Sequence, residues 1–215
     1  MKKPPSKIIG LCAGGHCRSL LTALSAMKVR VFGLLDDGMP WRHHVPIEGV
    51  RVIGPLVKLA TLGRGRYFVG LGAKDAAGCA QRRALWNLPK EHWQPLTIIH
   101  PSAVIHPSAH VGPGAQILAL AHLGPGVVVD RNAVINTLAN IEHDSRVSAH
   151  AFIGPGAILC GDVEVGLEAF IGAGAILLPG IQVGAGATVG AGAVVTRHVK
   201  EGERVVGLVQ ASKQR

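Results

Sequence analysis

The residues of this 215-residue chain best able to do chemistry are a histidine and the aspartate beside it, His143-Asp144. They close the polar segment Asn136-Thr-Leu-Ala-Asn-Ile-Glu-His-Asp-Ser145. An imidazole next to a carboxylate can serve as a general base near neutral pH. A lone His-Asp pair is a weak signal, because seven histidines lie beyond residue 96 and most are expected at the surface. A second group lies near the start. Gly14-Gly15-His16 follows an apolar run, and Asp36-Asp37 follows another. A glycine turn feeding a helix can hold a phosphate, or simply turn the chain. It is not a dinucleotide fingerprint, since Cys12 stands where a second glycine is needed after Gly10, and NAD is not expected. No metal site is expected either, because Cys12, Cys17, Cys79 and Cys160 lack zinc-ligand spacing.

The element that must position His143 keeps a period of six. From Ile99 in steps of six, the residues are Ile, Leu or Val at all 17 positions to Val195. Four residues after each anchor stands Ala at 12 of the 17, with Val127, Ser145, Val163, Ile181 and Val199 as exceptions. A hexapeptide period of this length predicts a parallel β-helix. Each short strand sends one aliphatic inward, the small Ala fits a tight corner, and glycines tolerate the corner backbone. His143 falls two residues after an anchor, on a corner facing outward. After Val195 the period stops, and the basic tail to Arg215 is expected to cap the last coil.

The element carrying the first glycines reads differently. Strands are expected over Lys7–Leu11, Val29–Leu35, Val50–Ile53 and Tyr67–Leu71. Helices should carry Leu20, Leu21, Leu24 and Met27, open at Gly54-Pro55, and run from Gly72–Asp75 to about Leu88. Strand–turn–helix alternation predicts a parallel α/β sheet whose ligand sits at the carboxyl ends of the strands, where Gly14–His16, Asp36-Asp37 and Gly72–Asp75 fall. Trp86–Pro95 is read as the connection. The net charge of +9 belongs to this front unit: residues 1–96 hold 15 Lys/Arg against 5 Asp/Glu, and the remainder 7 against 8. Such an excess either solvates a basic face or attracts a phosphate-bearing ligand. Nucleic acid is not expected, with aromatics at 4% and no recognition motif. No apolar run spans a membrane and no signal-peptide run precedes Gly10, so reduced thiols in the cytoplasm are expected.

Several motifs, in order, resemble the left-handed β-helix sugar acyltransferases of the sialic acid O-acetyltransferase and UDP-N-acetylbacillosamine-forming N-acetyltransferase type. They are Ala13-Gly-Gly-His16, Phe32-Gly-Leu-Leu-Asp-Asp37, Asn136 through Asp144, Leu159-Cys-Gly-Asp162, Ile171-Gly-Ala-Gly-Ala175, Val189 to Thr196 and Val205-Val-Gly207. The resemblance implies a Rossmann-like sugar-nucleotide-binding domain over 1–96 and a left-handed β-helix acyltransferase domain with its cap over 97–215. It implies a homotrimer with acetyl-CoA between neighbouring β-helices. His143 would be the base, Asp144 its orienting carboxylate and the Gly161 N–H the oxyanion donor. Asn136 would reach the site from across the interface. Gly14, Gly15, His16, Asp36 and Asp37 match nucleotide-sugar contacts, and Ala173 matches a CoA contact. Phe152 stands where a CoA-contacting histidine is usual, and Cys12 and Cys17 stand where glycines are usual. The implied reaction is acetyl transfer to the amine of a sugar, with a UDP-linked amino sugar as the expected acceptor; O-acetylation of sialic acid or another sugar is the alternative. A γ-carbonic-anhydrase-like hydratase fits poorly, because His106/His110 and His143/His150 have the wrong spacing. A non-catalytic scaffold is disfavoured by the intact Asn136, His143 and Asp144.

Overall fold

The structure, a computed structural model, describes residues 7–38, 46–89 and 91–210. From Ile98 to Val209 the chain winds as a parallel β-helix of two-residue strands on three faces. Registers such as His122 opposite Asn140 and Leu123 opposite Ile141 put 18 residues in each coil. Like positions therefore form columns, one strand spacing apart. The inward column is dry, with Ile117, Leu123, Ile135, Ile141, Ile153 and Leu159 all at 0% exposure. Ser145, an exception to the Ala rule, is buried too. Its hydroxyl donates to Cys160 O (3.0 Å) and accepts from Val163 N (3.1 Å).

The corners repeat as regularly as the anchors. Every sixth residue from Gly114 to Gly192 has a φ between +53° and +72°, in the left-handed region. Half of these are not glycine, namely Leu120, Asn132, Leu138, Asp144, His150, Asp162 and Glu168. Asp144 thus owes its φ of +59° to its place in the repeat, not to local chemistry.

The tail does more than cap. Arg204–Val205 pairs with Thr188–Val189, and Leu208–Val209 pairs with Val194–Val195, so the ladder continues after the sixfold spacing slips. Pairing needs only extended backbone and an inward side chain, which Val199, Val205 and Val209 supply.

The front unit is a parallel sheet of β1 (Lys7–Leu11), β2 (Gly33–Leu35), β3 (Val52–Gly54), β4 (Gly65–Val69) and β5 (Trp93–Pro95), in the order β3-β2-β1-β4-β5. Helix α1 (Gly15–Ala26) follows β1, and α2 (Ala76–Trp86) follows β4, capped by the Asp75 carboxylate on Gly78 N. Two expectations are corrected here. Gly54-Pro55 opens not an α-helix but a six-residue 3-10 helix, Leu56–Thr61. The stretch read as a connection contains the end of α2 and the edge strand β5. The changeover between sheets falls at Leu96-Thr97.

The front unit packs on the first face of the β-helix. Outward residues there are Ile98, Gln116, Val134, Phe152, Phe170 and Thr188. Ile98 and Leu118 join Leu20, Leu24 and Phe68 in one core, while Cys79 meets Val134 and Phe152 in another. The second face shows Val104, His122, Asn140, Ile158, Ile176 and Val194, and the third His110, Val128, Arg146, Glu164 and Gln182. Among the described residues no helix is long and apolar enough to cross a membrane.

Candidate active site

His143 and Asp144 stand exposed on the corner between the second and third faces. Asp144 Oδ2 lies 3.0 Å from His143 Nδ1, with the two side chains 61% and 70% exposed. The carboxylate can only accept, so Nδ1 carries the proton and Nε2 keeps its lone pair. One coil further on lies Gly161. A Cβ built there would come within 2.5 Å of His143 Cε1 and Nε2, so the basic edge of the ring rests against the glycine backbone. The N–H of Gly161 has no acceptor among the described residues. Glu142 faces elsewhere, accepting from Asn140 Nδ2 (2.8 Å), and Asn140 Oδ1 is 2.7 Å from His122 Nδ1. Asp144, rather than Glu142, is therefore the carboxylate that holds the histidine.

A cavity of about 690 Å³ opens where the front unit meets the corner between the first and second faces. It gathers Gly15, His16, Asn136, Phe152 and Ala173, with Lys74 from the Gly72–Asp75 turn expected at the ligand end, together with Thr188 and Arg204, which the sequence did not single out. Among the described residues, two lysine or arginine side chains line it and no carboxylate does, which suits a ligand carrying phosphates. Gly14 and Gly15 leave open space where a Cβ would stand. Asn136 turns its Oδ1 back to its neighbour's backbone, Thr137 N, at 2.8 Å. Phe152 stacks on Phe170 with ring centroids 5.6 Å apart and meets His16 at 5.8 Å. His150, near it in sequence, is buried against Trp86, and lies outside the cavity lining.

The two aspartates are placed differently. Asp36 accepts from Ala13 N (2.6 Å) and so pins the turn after β1. Asp37 accepts from Leu56 N (2.7 Å) at the start of the 3-10 helix, and it lines a separate apolar hollow with Leu59 and Trp93. Neither lines the cavity that holds His16. Three of the thiols are poor nucleophiles: burial pushes Cys12 up to about 11, and Cys17 and Cys79 up to about 12.

Within one chain the groups fall into two sets. His143, Asp144 and Gly161 occupy one edge of the second face. Asn136, Ala173 and the cavity occupy the other.

Residues 162–197 match the hexapeptide repeat family of succinyl-transferases. A comparison of the sequence with curated proteins finds no match. Among solved structures, a GDP-perosamine N-acetyltransferase variant from Caulobacter crescentus, in complex with CoA and GDP-perosamine, is 30% identical. That likeness covers 94% of this chain and 93% of the other, with a TM-score of 0.83. The acetyltransferase domain of PglB from Neisseria gonorrhoeae, in complex with acetyl coenzyme A, is also 30% identical over 94% and 97%, with a TM-score of 0.84. WeeI from Acinetobacter baumannii shares the fold at 22% identity and a TM-score of 0.66. Both the repeat and the front sheet lie within these matches, and through them the chain belongs to the left-handed β-helix sugar acyltransferase family.

Proposed function

We propose that this protein transfers the acetyl group of acetyl-CoA to the amine of a nucleotide-linked sugar, with His143 as general base. The observation that carries the reading is local. The Nε2 edge of His143 lies against Gly161, whose N–H has no partner among the described residues, while Asp144 holds Nδ1. A base and an oxyanion donor side by side are what thioester aminolysis requires. The acceptor nitrogen attacks the thioester carbonyl and gives its proton to Nε2. The carbonyl oxygen gathers negative charge beside Gly161 N–H. Collapse expels the CoA thiolate, which takes the proton back from the imidazolium.

The two separated sets supply the case for assembly. The second face exposes apolar side chains along its length, from Val104 at one end (62%) through Ile158 (37%) to Leu208 at the other (62%), a surface that a second copy of the chain can cover. Covering it with a second copy brings one chain's His143 toward another's Asn136 and cavity, and a closed ring of three satisfies every copy alike. The front unit, residues 1–96, then binds the sugar nucleotide. Its strand order reverses between β1 and β4, as in a Rossmann-like sheet, and His16 and Gly72 lie at that crevice. The solenoid, residues 97–215, holds acetyl-CoA along Gly154, Ala173 and Ala191. The relatives' ligands favour a nucleotide-linked amino sugar, with GDP as well as UDP as the carrier to test.

The test is release of CoA thiol from acetyl-CoA with GDP-perosamine and with UDP-linked 4-amino sugars. Release that depends on the amino sugar, with an acetylated product by mass, is expected. Thiol release without any acceptor, or none with all of them, would remove the reading.

A further inference from the structure

Among the described residues, Arg82 is the one charged side chain at 0% exposure, and it forms no ion pair with a carboxylate. Its guanidinium donates to Leu71 O, to Gln116 Oε1 (3.4 Å) and to Asn132 Oδ1 (3.3 Å), and its Nε has no partner. A buried cation held only by neutral acceptors is expensive, so its retention asks for a reason. The next bonds outward supply one. Gln116 donates from Nε2 to Val69 O (2.8 Å), which fixes Oε1 as the end facing His16 Nε2 at 2.9 Å. An amide oxygen cannot donate, so His16 Nε2 must carry the proton. Nδ1 is left as a lone pair without a protein partner among the described residues, on a ring that lines the cavity.

We infer that Arg82, acting through Gln116, holds His16 as a neutral hydrogen-bond acceptor, and that its Nδ1 recognises an N–H or O–H of the sugar nucleotide. This rests on the functional reading above. Arg82 is a positioning residue, since it touches no ligand. Arg82 behind His16, with Lys74 and Arg204 on the cavity wall, favours the neutral ring, and Asp36, whose carboxylate acts in the opposite sense, is engaged by Ala13 N. Burial, then Arg82, draws the His16 pKa down to about 4. The Gly-Gly-His turn therefore offers the ligand an acceptor rather than a third cation, and phosphate falls to Lys74 and Arg204.

Nitrogen-15 NMR of histidine-labelled full-length protein reads the ring directly. The His16 signals should show protonated Nε2 and bare Nδ1, unchanged from pH 8 down to pH 5. Adding GDP-perosamine or a UDP-linked 4-amino sugar should shift Nδ1 alone. Gln116→Glu, nearly isosteric, gives Arg82 a counter-charge and His16 an anionic partner. Its His16 should titrate above 7, so that Nδ1 is protonated at neutral pH, and the KM for the sugar nucleotide should rise roughly ten- to hundredfold at pH 7 with the KM for acetyl-CoA unchanged. Arg82→Gln should also let His16 titrate; if that variant does not fold, Gln116→Glu decides. A His16 that already titrates between pH 5 and 7 in the unaltered protein overturns the relay. A sugar nucleotide that binds without moving Nδ1, or a Gln116→Glu effect confined to acetyl-CoA, overturns the recognition. If neither sugar nucleotide binds or reacts, the recognition falls with the functional reading, and that failure differs from a failed relay, which the ring signals report on their own.

Discussion

His143 carries the sharpest consequences. Removing a general base lowers turnover by about 10²–10⁴, so His143→Ala should lose kcat on that scale in a thiol-release assay while both KM values stay near their starting values. Near-normal kcat across pH 6 to 9 would sink the role. Asp144→Asn should cost less than His143→Ala. The amide can still occupy the +59° backbone, but it no longer stabilises the imidazolium or fixes Nδ1 as the protonated nitrogen. Gly161→Ala is a separate probe. Its methyl would meet Cε1 and Nε2 at 2.5 Å, so the ring must swing away. Activity should fall with little change in melting temperature, because the clash is with an exposed side chain. The exposed pairing of His143 with Asp144 was legible in the sequence because polar residues interrupt a plain repeat there. Gly161 was legible only through family motifs, since its value lies in being one coil from His143, a spacing of 18 that the sixfold count hides. Arg82 and Gln116 were not legible. Arg82 looked like one more cation on a basic surface, and Gln116 holds an outward strand position that solvent could equally have filled.

At the scale of elements, the β-helix was readable because one physical constraint repeats: an inward anchor, a small corner residue, a left-handed turn. The front sheet has no such redundancy. Trp93-Gln-Pro95 carries no periodic signal, and β5 exists because Gly65 and Tyr67 offer it a sheet edge. The covered face was readable after all, had the sequence been laid out in eighteens. The outward column Ile98, Gln116, Val134, Phe152, Phe170 is mostly apolar, whereas His110, Val128, Arg146, Glu164, Gln182 is mostly polar. The corner turns make a clean stability test. Gly156 has a φ of +64° and nothing within 4 Å of where an added methyl would stand, so Gly156→Ala perturbs backbone conformation alone. It should cost about 1–2 kcal/mol. Leu120→Gly, at φ +58° and 58% exposed, should move the other way by less, since glycine's unfolded-state entropy offsets part of the gain. Thermal or urea melts of the pair should therefore shift in opposite directions; a shared direction would mean side-chain contacts, not backbone, govern these corners.

For the whole molecule, acid is the informative variable. Burial first, with neighbouring arginines next, holds His16 and His150 at about 4, below the 6.5 of a free imidazole. Between those values the unfolded chain takes up protons that the folded chain refuses, so stability falls as pH drops from about 6.5 toward 4. The loss is at most about 1.4 kcal/mol per pH unit for each histidine. Melting temperatures should decline over that interval, and His150→Gln should flatten the decline. An unchanged slope would assign the acid sensitivity to other groups. Light scattering should give a trimer at micromolar concentration, and a monomer would leave the second face and the divided site without an explanation.

The division of the groups between two edges of one face also bears on inheritance. If each working centre draws its base from one copy and its cavity from another, two inactive forms can repair each other. Chains bearing His143→Ala would still offer sound cavities, and chains bearing a blocked cavity, such as Ala173→Trp, would still offer sound bases. Refolded together in equal amounts, they should place an intact base beside an intact cavity in about a quarter of the junctions, and activity absent from either pure form should return.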